Sequence, residues 1–168
     1  MAKAGSRRGS TLIEFTLMGI PIIFLTISVF SISIDMWEFH ELPHAVEMTA
    51  RYAATHGQGC TQPGNSCSLT VANLVTYFKA QNISLLPSLV NVTFTDGGGS
   101  ITCAPLTDCA SSSTLFPSTG HNVAGVDDVT VRATYTLKNP IAIFWPSAHN
   151  AVWHAFTVGA TSRQGILF

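Results

Sequence analysis

The apolar positions of this chain do not keep one period. Over residues 11–34 they have none: TLIEFTLMGIPIIFLTISVFSISI is 24 residues long with Glu14 as its only charge. As a helix this stretch would be roughly 36 Å long against a hydrocarbon core of about 30 Å, and it reads as a transmembrane helix over 10–35. Beyond it, DMWEFHELPHAVEMTARYAATHG keeps apolar residues at Trp37, Phe39, Leu42, Val46, Met48, Tyr52 and Ala53 in loosely helical spacing, and stops at Gly57, a C-cap signal. The pattern predicts one helix of about 45 residues whose outer part is a stalk over 36–57. Kinks are expected near Pro21 and Pro43, because each lacks a backbone donor and crowds the preceding turn.

The spacing then tightens and changes. In SLTVANLVTYFKAQN, Val71, Leu74, Val75 and Phe78 fall at i, i+3, i+4 and i+7, a short amphipathic helix with Ser68 or Thr70 available to cap it. Period two follows. Val90, Val92 and Phe94 alternate with Asn91, Thr93 and Thr95 up to DGGG, a turn from which ITCAP can return alongside. DVTVRATYTLK puts Val129, Val131, Ala133, Tyr135 and Leu137 on one face and Thr130, Arg132, Thr134 and Thr136 on the other, so a sheet with one buried face is predicted. A last strand is expected in HAFTVGATSR, with Phe156, Val158 and Ala160 inward, while SSSTLFPSTGHNVAG is turn-rich and polar and is expected as an exposed loop. No internal repeat is present. The fold class is therefore α+β: a long N-terminal transmembrane helix continuing into a small exported domain, 58–168, with a short helix and an antiparallel sheet.

Composition and charge add direction. Of 168 residues, 46% are apolar and 10% charged, greasier than an ordinary soluble domain, and the excess lies at the front. Lys3, Arg7 and Arg8 precede the apolar run and Asp35, Glu38 and Glu41 follow it, so the positive-inside rule keeps the N-terminus in the cytoplasm and exports the rest. A removed signal peptide also has a basic start, but this apolar run is long for an h-region and ends in Ser-Ile-Asp-Met-Trp rather than at a small-x-small cleavage site. The four cysteines, Cys60 and Cys67 in CTQPGNSC, Cys103 and Cys109 in CAPLTDC, all fall in the exported part, where disulfides persist. Three connectivities are open, and the two local pairings are favoured because short loops close at least cost. Neither pair has the CxxC spacing of a zinc finger.

Three features could carry chemistry. HELPH, residues 40–44, satisfies HExxH, in which His40 and His44 would hold zinc and Glu41 would act as general base. Pro43 interrupts that turn just before the second histidine, so the reading preferred here is a pair of surface histidines on a stalk; no metal, cofactor or catalytic residue is assigned. Asn82-Ile-Ser and Asn91-Val-Thr match glycosylation sequons, which would accept glycans in a eukaryotic secretory pathway, although chance matches are common in a Ser/Thr-rich chain. Finally, a carboxylate within an apolar span costs about 2.5–3.5 kcal/mol near its centre and less near an end, and such groups usually find a partner. Glu14 is the fifth residue counted from Ser10, and Arg7, Arg8 and Gly9 stand immediately before.

MAKAGSRRG followed by STLIEFTLMGIPIIFLTISVF resembles the class III signal of type IV pilin-like proteins. More narrowly, Glu14-Phe15, Pro21 in the apolar helix and the helix end TARYAATHG resemble TadE-like pseudopilins of the tight-adherence (Tad) pilus system. The resemblance covers about residues 7–57; VTVRATYTLKNP and FTVGATSR are only broadly similar. It implies a leader, 1–9, cut by a prepilin peptidase between Gly9 and Ser10, and a mature helix in which Glu14 of one subunit pairs with the new Ser10 amine of a neighbour. The implied partners are that peptidase, other pilin or pseudopilin subunits, the Tad inner-membrane platform and lipid; the implied location is the bacterial inner membrane, with incorporation into a surface pilus and roles in adhesion or secretion. Flp-type major pilins of such systems are very short and carry Glu-Tyr, so the Glu14-Phe15 pair and large exported domain of this chain resemble a minor component. Loss of Lys3, Arg7 and Arg8 from eight basic residues leaves five against nine acids, a formal charge of −4, which argues against nucleic acid or anionic lipid headgroups as partners of the exported part. The alternatives are a non-cleaved, membrane-anchored binding module and, more remotely, a zinc hydrolase built on HELPH.

Overall fold

A computed structural model of the chain describes residues 8–58, 60, 67–82, 84–137 and 156–167, with side chains from residue 13 onward. The described residues fall into two compact units, one ending at Met36 and the other beginning at Trp37. Helix α1, Arg8–His56, is 49 residues long and belongs to both. It runs unbroken through Pro21 and Pro43 and stops one residue before Gly57, as the sequence pattern predicts.

In the first unit α1 is the only described element. In the second, α1 buries a stripe at Leu42, Ala45, Val46, Thr49, Ala50, Ala53 and Ala54, spaced three and four apart. Most of these side chains are small, which lets the helix lie close to its neighbours. Thr49 is the polar member, and its hydroxyl donates to the Ala45 carbonyl at 2.7 Å, so burial leaves it satisfied. Of the other large apolar residues of the same stretch, Trp37 and Phe39 are exposed, Met48 is half-buried, and Tyr52 is half-buried and packed against the core, stacked on Tyr77 at 4.1 Å between ring centroids.

Helix α2, Val71–Gln81, buries Val71, Leu74, Val75 and Phe78, and Thr70 caps it by accepting from the Asn73 N–H at 3.3 Å. Four strands follow: β1 Val90–Asp96, β2 Gly99–Cys103, β3 Asp128–Leu137 and β4 Phe156–Gly165. They form one antiparallel sheet in the order β2-β1-β3-β4. Register brings Val90 opposite Tyr135, Val92 opposite Ala133 and Phe94 opposite Val131, so the period-two residues of two distant segments meet on one buried face. Thr93 and Thr102 hydroxyls lie 3.2 Å apart on the polar face. At the β3–β4 edge Arg163 is hydrogen-bonded to Asp128, whose carboxylate holds the guanidinium above its ordinary value.

Two expectations need correction. Phe156 is paired with Leu137 at the very start of β4 and is 61% exposed, because no described element covers that corner of the sheet; Val158 is buried and Ala160 half-buried. The segment expected as an exposed loop sends Phe116 into the core, 1% exposed, against Phe94 at 5.9 Å between ring centroids. Backbone hydrogen bonds hold it there: Phe116 N–H to the Leu69 carbonyl and Val71 N–H to the Thr114 carbonyl, each 2.9 Å. Disulfides join Cys60 to Cys67 and Cys103 to Cys109, the two local pairings.

Candidate functional site

The part of α1 over residues 13–34 is apolar on every side, long and apolar enough to cross a membrane, and almost none of it is covered. Ile13, Phe15, Leu17 and Met18 lie 64–78% exposed within two turns, and Ile22, Leu25, Val29, Phe30 and Ile34 continue the pattern. A soluble core helix would be buried; this surface needs another apolar phase. The polar side chains agree with that. Thr16, Thr26, Ser28, Ser31 and Ser33 each donate to a carbonyl one turn earlier, on Ile13, Ile22, Phe24, Ile27 and Val29, at 2.8–3.2 Å. All the hydroxyls of this stretch are thus satisfied within the helix, as they must be where no water reaches.

Near the start of this stretch stand the residues expected to act in assembly. Gly9 and Ser10 lie in the first turn of α1, with side chains outside the described set. Glu14 and Phe15 are exposed on the same helix one turn further on, so Ser10 and Glu14 have the i, i+4 relation of residues stacked along one face. Pro21 is exposed in the apolar stretch and Pro43 at the surface of the second unit.

Pro43 sits within HELPH, and the structure gives this motif a different occupation. His40 and His44 are exposed, and among the described residues no group of three or more His, Cys, Asp or Glu is placed to hold a metal ion. Glu41 faces inward. One of its oxygens accepts from the Trp37 indole N–H at 2.9 Å; the other accepts from the Ser84 N–H at 3.1 Å and from the Ser84 hydroxyl. The carboxylate therefore ties α1 to the chain just after α2, across 43 residues of sequence.

A second carboxylate organises the far end of the sheet. Asp96 accepts from the Gly98 and Gly99 N–H groups at 2.9 and 3.0 Å through one oxygen and from the Ser118 N–H at 2.5 Å through the other. The β1–β2 hairpin is thereby fastened to the segment that delivers Phe116. Glycine suits both positions because that segment comes close: a Cβ on Gly98 would run into Ser118 Oγ, and one on Gly97 would stand 2.6 Å from His121 Nδ1. Of the two sequons, Asn82 is buried and donates to the Phe78 carbonyl at 2.8 Å, and Asn91 is exposed on β1.

The sequence pattern identified the apolar helix and the cysteine pairs, but not the structural roles of Glu41, Asp96 and Ser118. DGGG does contain a local signal, since Asp before glycines favours a side-chain-to-backbone turn. Nothing local points from Glu41 to Ser84. No protein-family model, curated protein or solved structure matches this chain.

Proposed function

We infer that this chain is a membrane-anchored, TadE-like pseudopilin: a minor subunit cut between Gly9 and Ser10 by a prepilin peptidase, held in the bacterial inner membrane by α1 and assembled with other pilin-like subunits through that helix. The observation that carries the reading is α1 itself. A single helix begins before the cleavage position, stays apolar and uncovered over residues 13–34 with its hydroxyls turned inward, and supplies a core face to an α+β domain only beyond Trp37. That division of labour suits a subunit that waits in lipid and exchanges lipid for neighbouring helices. Glu14 is then the register mark, pairing with the Ser10 amine of an adjacent subunit once the leader has gone; a desolvated pair of this kind fixes alignment as much as it stabilises.

Mass spectrometry of the mature N-terminus tests the processing step: a chain starting at Ser10 is expected, and one starting at Met1 or Ala2 returns the protein to the class of uncleaved anchored binding modules. Glu14→Ala tests assembly separately. The variant is expected to insert and be processed but to be lost from sheared filament fractions and from cross-linked subunit ladders. Normal incorporation of Glu14→Ala would remove the pairing.

A further inference from the structure

The second unit has two ends, and they differ in chemistry. At one, the chain enters at Trp37, and the start of β1, the end of β3 and the start of β4 lie together through the pairs Val90–Tyr135 and Leu137–Phe156. The Glu41–Ser84 hydrogen bonds bring the segment leading into β1 to the same end. At the other end are the Asp96–Gly99 hairpin, the pair Asp128–Gly165 and the close of α1, where Leu167 N–H donates to the Ala54 carbonyl at 3.1 Å. From Trp37 to Ala54, α1 rises about 26 Å between the two ends. The entry end exposes large apolar side chains from three separate segments: Trp37 and Phe39 on α1, Leu86 before β1 and Phe156 on β4.

We propose that this end, through Trp37, Phe39, Leu86 and Phe156, rests in the headgroup layer of the bilayer that α1 crosses. The inference rests on the membrane reading of α1 and extends it to the domain. Continuity supports it: Trp37 follows the last residue of the apolar run by three positions, about 4.5 Å of helix, so it must lie at or next to the boundary. Indole rings favour that layer because a flat apolar body meets a polar N–H. Asp35 and Glu38 on the same turns suit headgroups and not acyl chains, which sets the depth at the interface. Leu86 and Phe156 then gain an apolar edge to rest against, where a domain free in water would leave them wetted.

Cysteine placed singly at Ile22, Leu86, Phe156 and Val126 of the full oxidised chain, labelled with a small fluorophore and reconstituted into phosphatidylethanolamine–phosphatidylcholine vesicles, tests this. Val126 is the control, 79% exposed at the far end. Lipid spin-labelled near the glycerol backbone is expected to quench positions 86 and 156 at least twofold more than 126, and lipid spin-labelled deep in the acyl chain to quench 22, which lies at the middle of the apolar run. If 22 is quenched but 86 and 156 match 126, the domain stands clear of the bilayer and the inference fails. Unquenched 22 overturns the membrane reading, and the inference with it. Positions 86 and 156 shielded from aqueous iodide yet untouched by the lipid quencher would mean that a protein covers them, and the lipid assignment is lost.

Discussion

Replacing Glu41 by alanine is the most direct way to ask whether the acid of HELPH is a fastening or a catalytic group. The change removes the acceptor for Ser84 N–H, Ser84 hydroxyl and Trp37 Nε1–H. Trp37 is 64% exposed and can turn to water, so its bond adds little. Ser84 is half-buried, and hydrogen bonds to a charged acceptor are worth about 1.5–3 kcal/mol, less where water can substitute, so a loss of about 2–3 kcal/mol is expected. For a domain of this size that corresponds to a fall in Tm of roughly 10 °C. The assay is thermal and urea unfolding of the full chain in mild detergent, followed by near-ultraviolet circular dichroism. A cycle with Ser84→Ala isolates the hydroxyl bond, with a coupling of about 1 kcal/mol expected. A Glu41→Ala variant within about 0.5 kcal/mol of the parent, or a cycle that is strictly additive, would refute the reasoning.

Three further outcomes follow from the same geometry. Phe116→Ala should cost about 3–5 kcal/mol, because the ring is fully buried against Phe94; an exposed-loop residue would cost almost nothing, and a urea midpoint separates the two. Gly98→Ala should cost about 1–3 kcal/mol by driving a methyl into Ser118 and His121, whereas Gly165→Ala, with open space around it, should be near neutral in the same titration. Cys103→Ser should lower stability by about 2 kcal/mol, the value for a loop this short, and dithiothreitol should then have a correspondingly smaller effect on the variant than on the parent.

Much of the fold was legible because its signals are periodic and local. Val71, Leu74, Val75 and Phe78 declare a helix face within eight residues, and β3 alternates over its full length. The helical stripe was harder. Its buried positions are largely Ala45, Ala50, Ala53, Ala54 and Thr49, residues with little apolar weight, while the conspicuous Trp37 and Phe39 lie off the core. Phe116 was hidden by its surroundings: the serines, threonines, proline and glycine around it give a loop signal, and only its pairing with Leu69, 47 positions earlier, makes it a core residue. At the candidate site the same split holds. Glu14 stands out against an apolar background, but Glu41 is ordinary among the charges of its turn, and its partner is set by tertiary packing alone.

The absence of any break in α1 has a practical and an evolutionary consequence. The apolar run and the first core element are one helix, so proteolysis or gene truncation after residue 57 would release a domain stripped of Leu42, Val46, Ala50 and Ala53, with its sheet face open. A soluble fragment has to begin near Trp37 to keep its own interior. By the same token, a recombination event that swapped the whole helix at its end would also discard part of the core. Such a chain can change its apolar half and keep its core only by substitution or by a crossover inside α1, between the apolar run and Leu42.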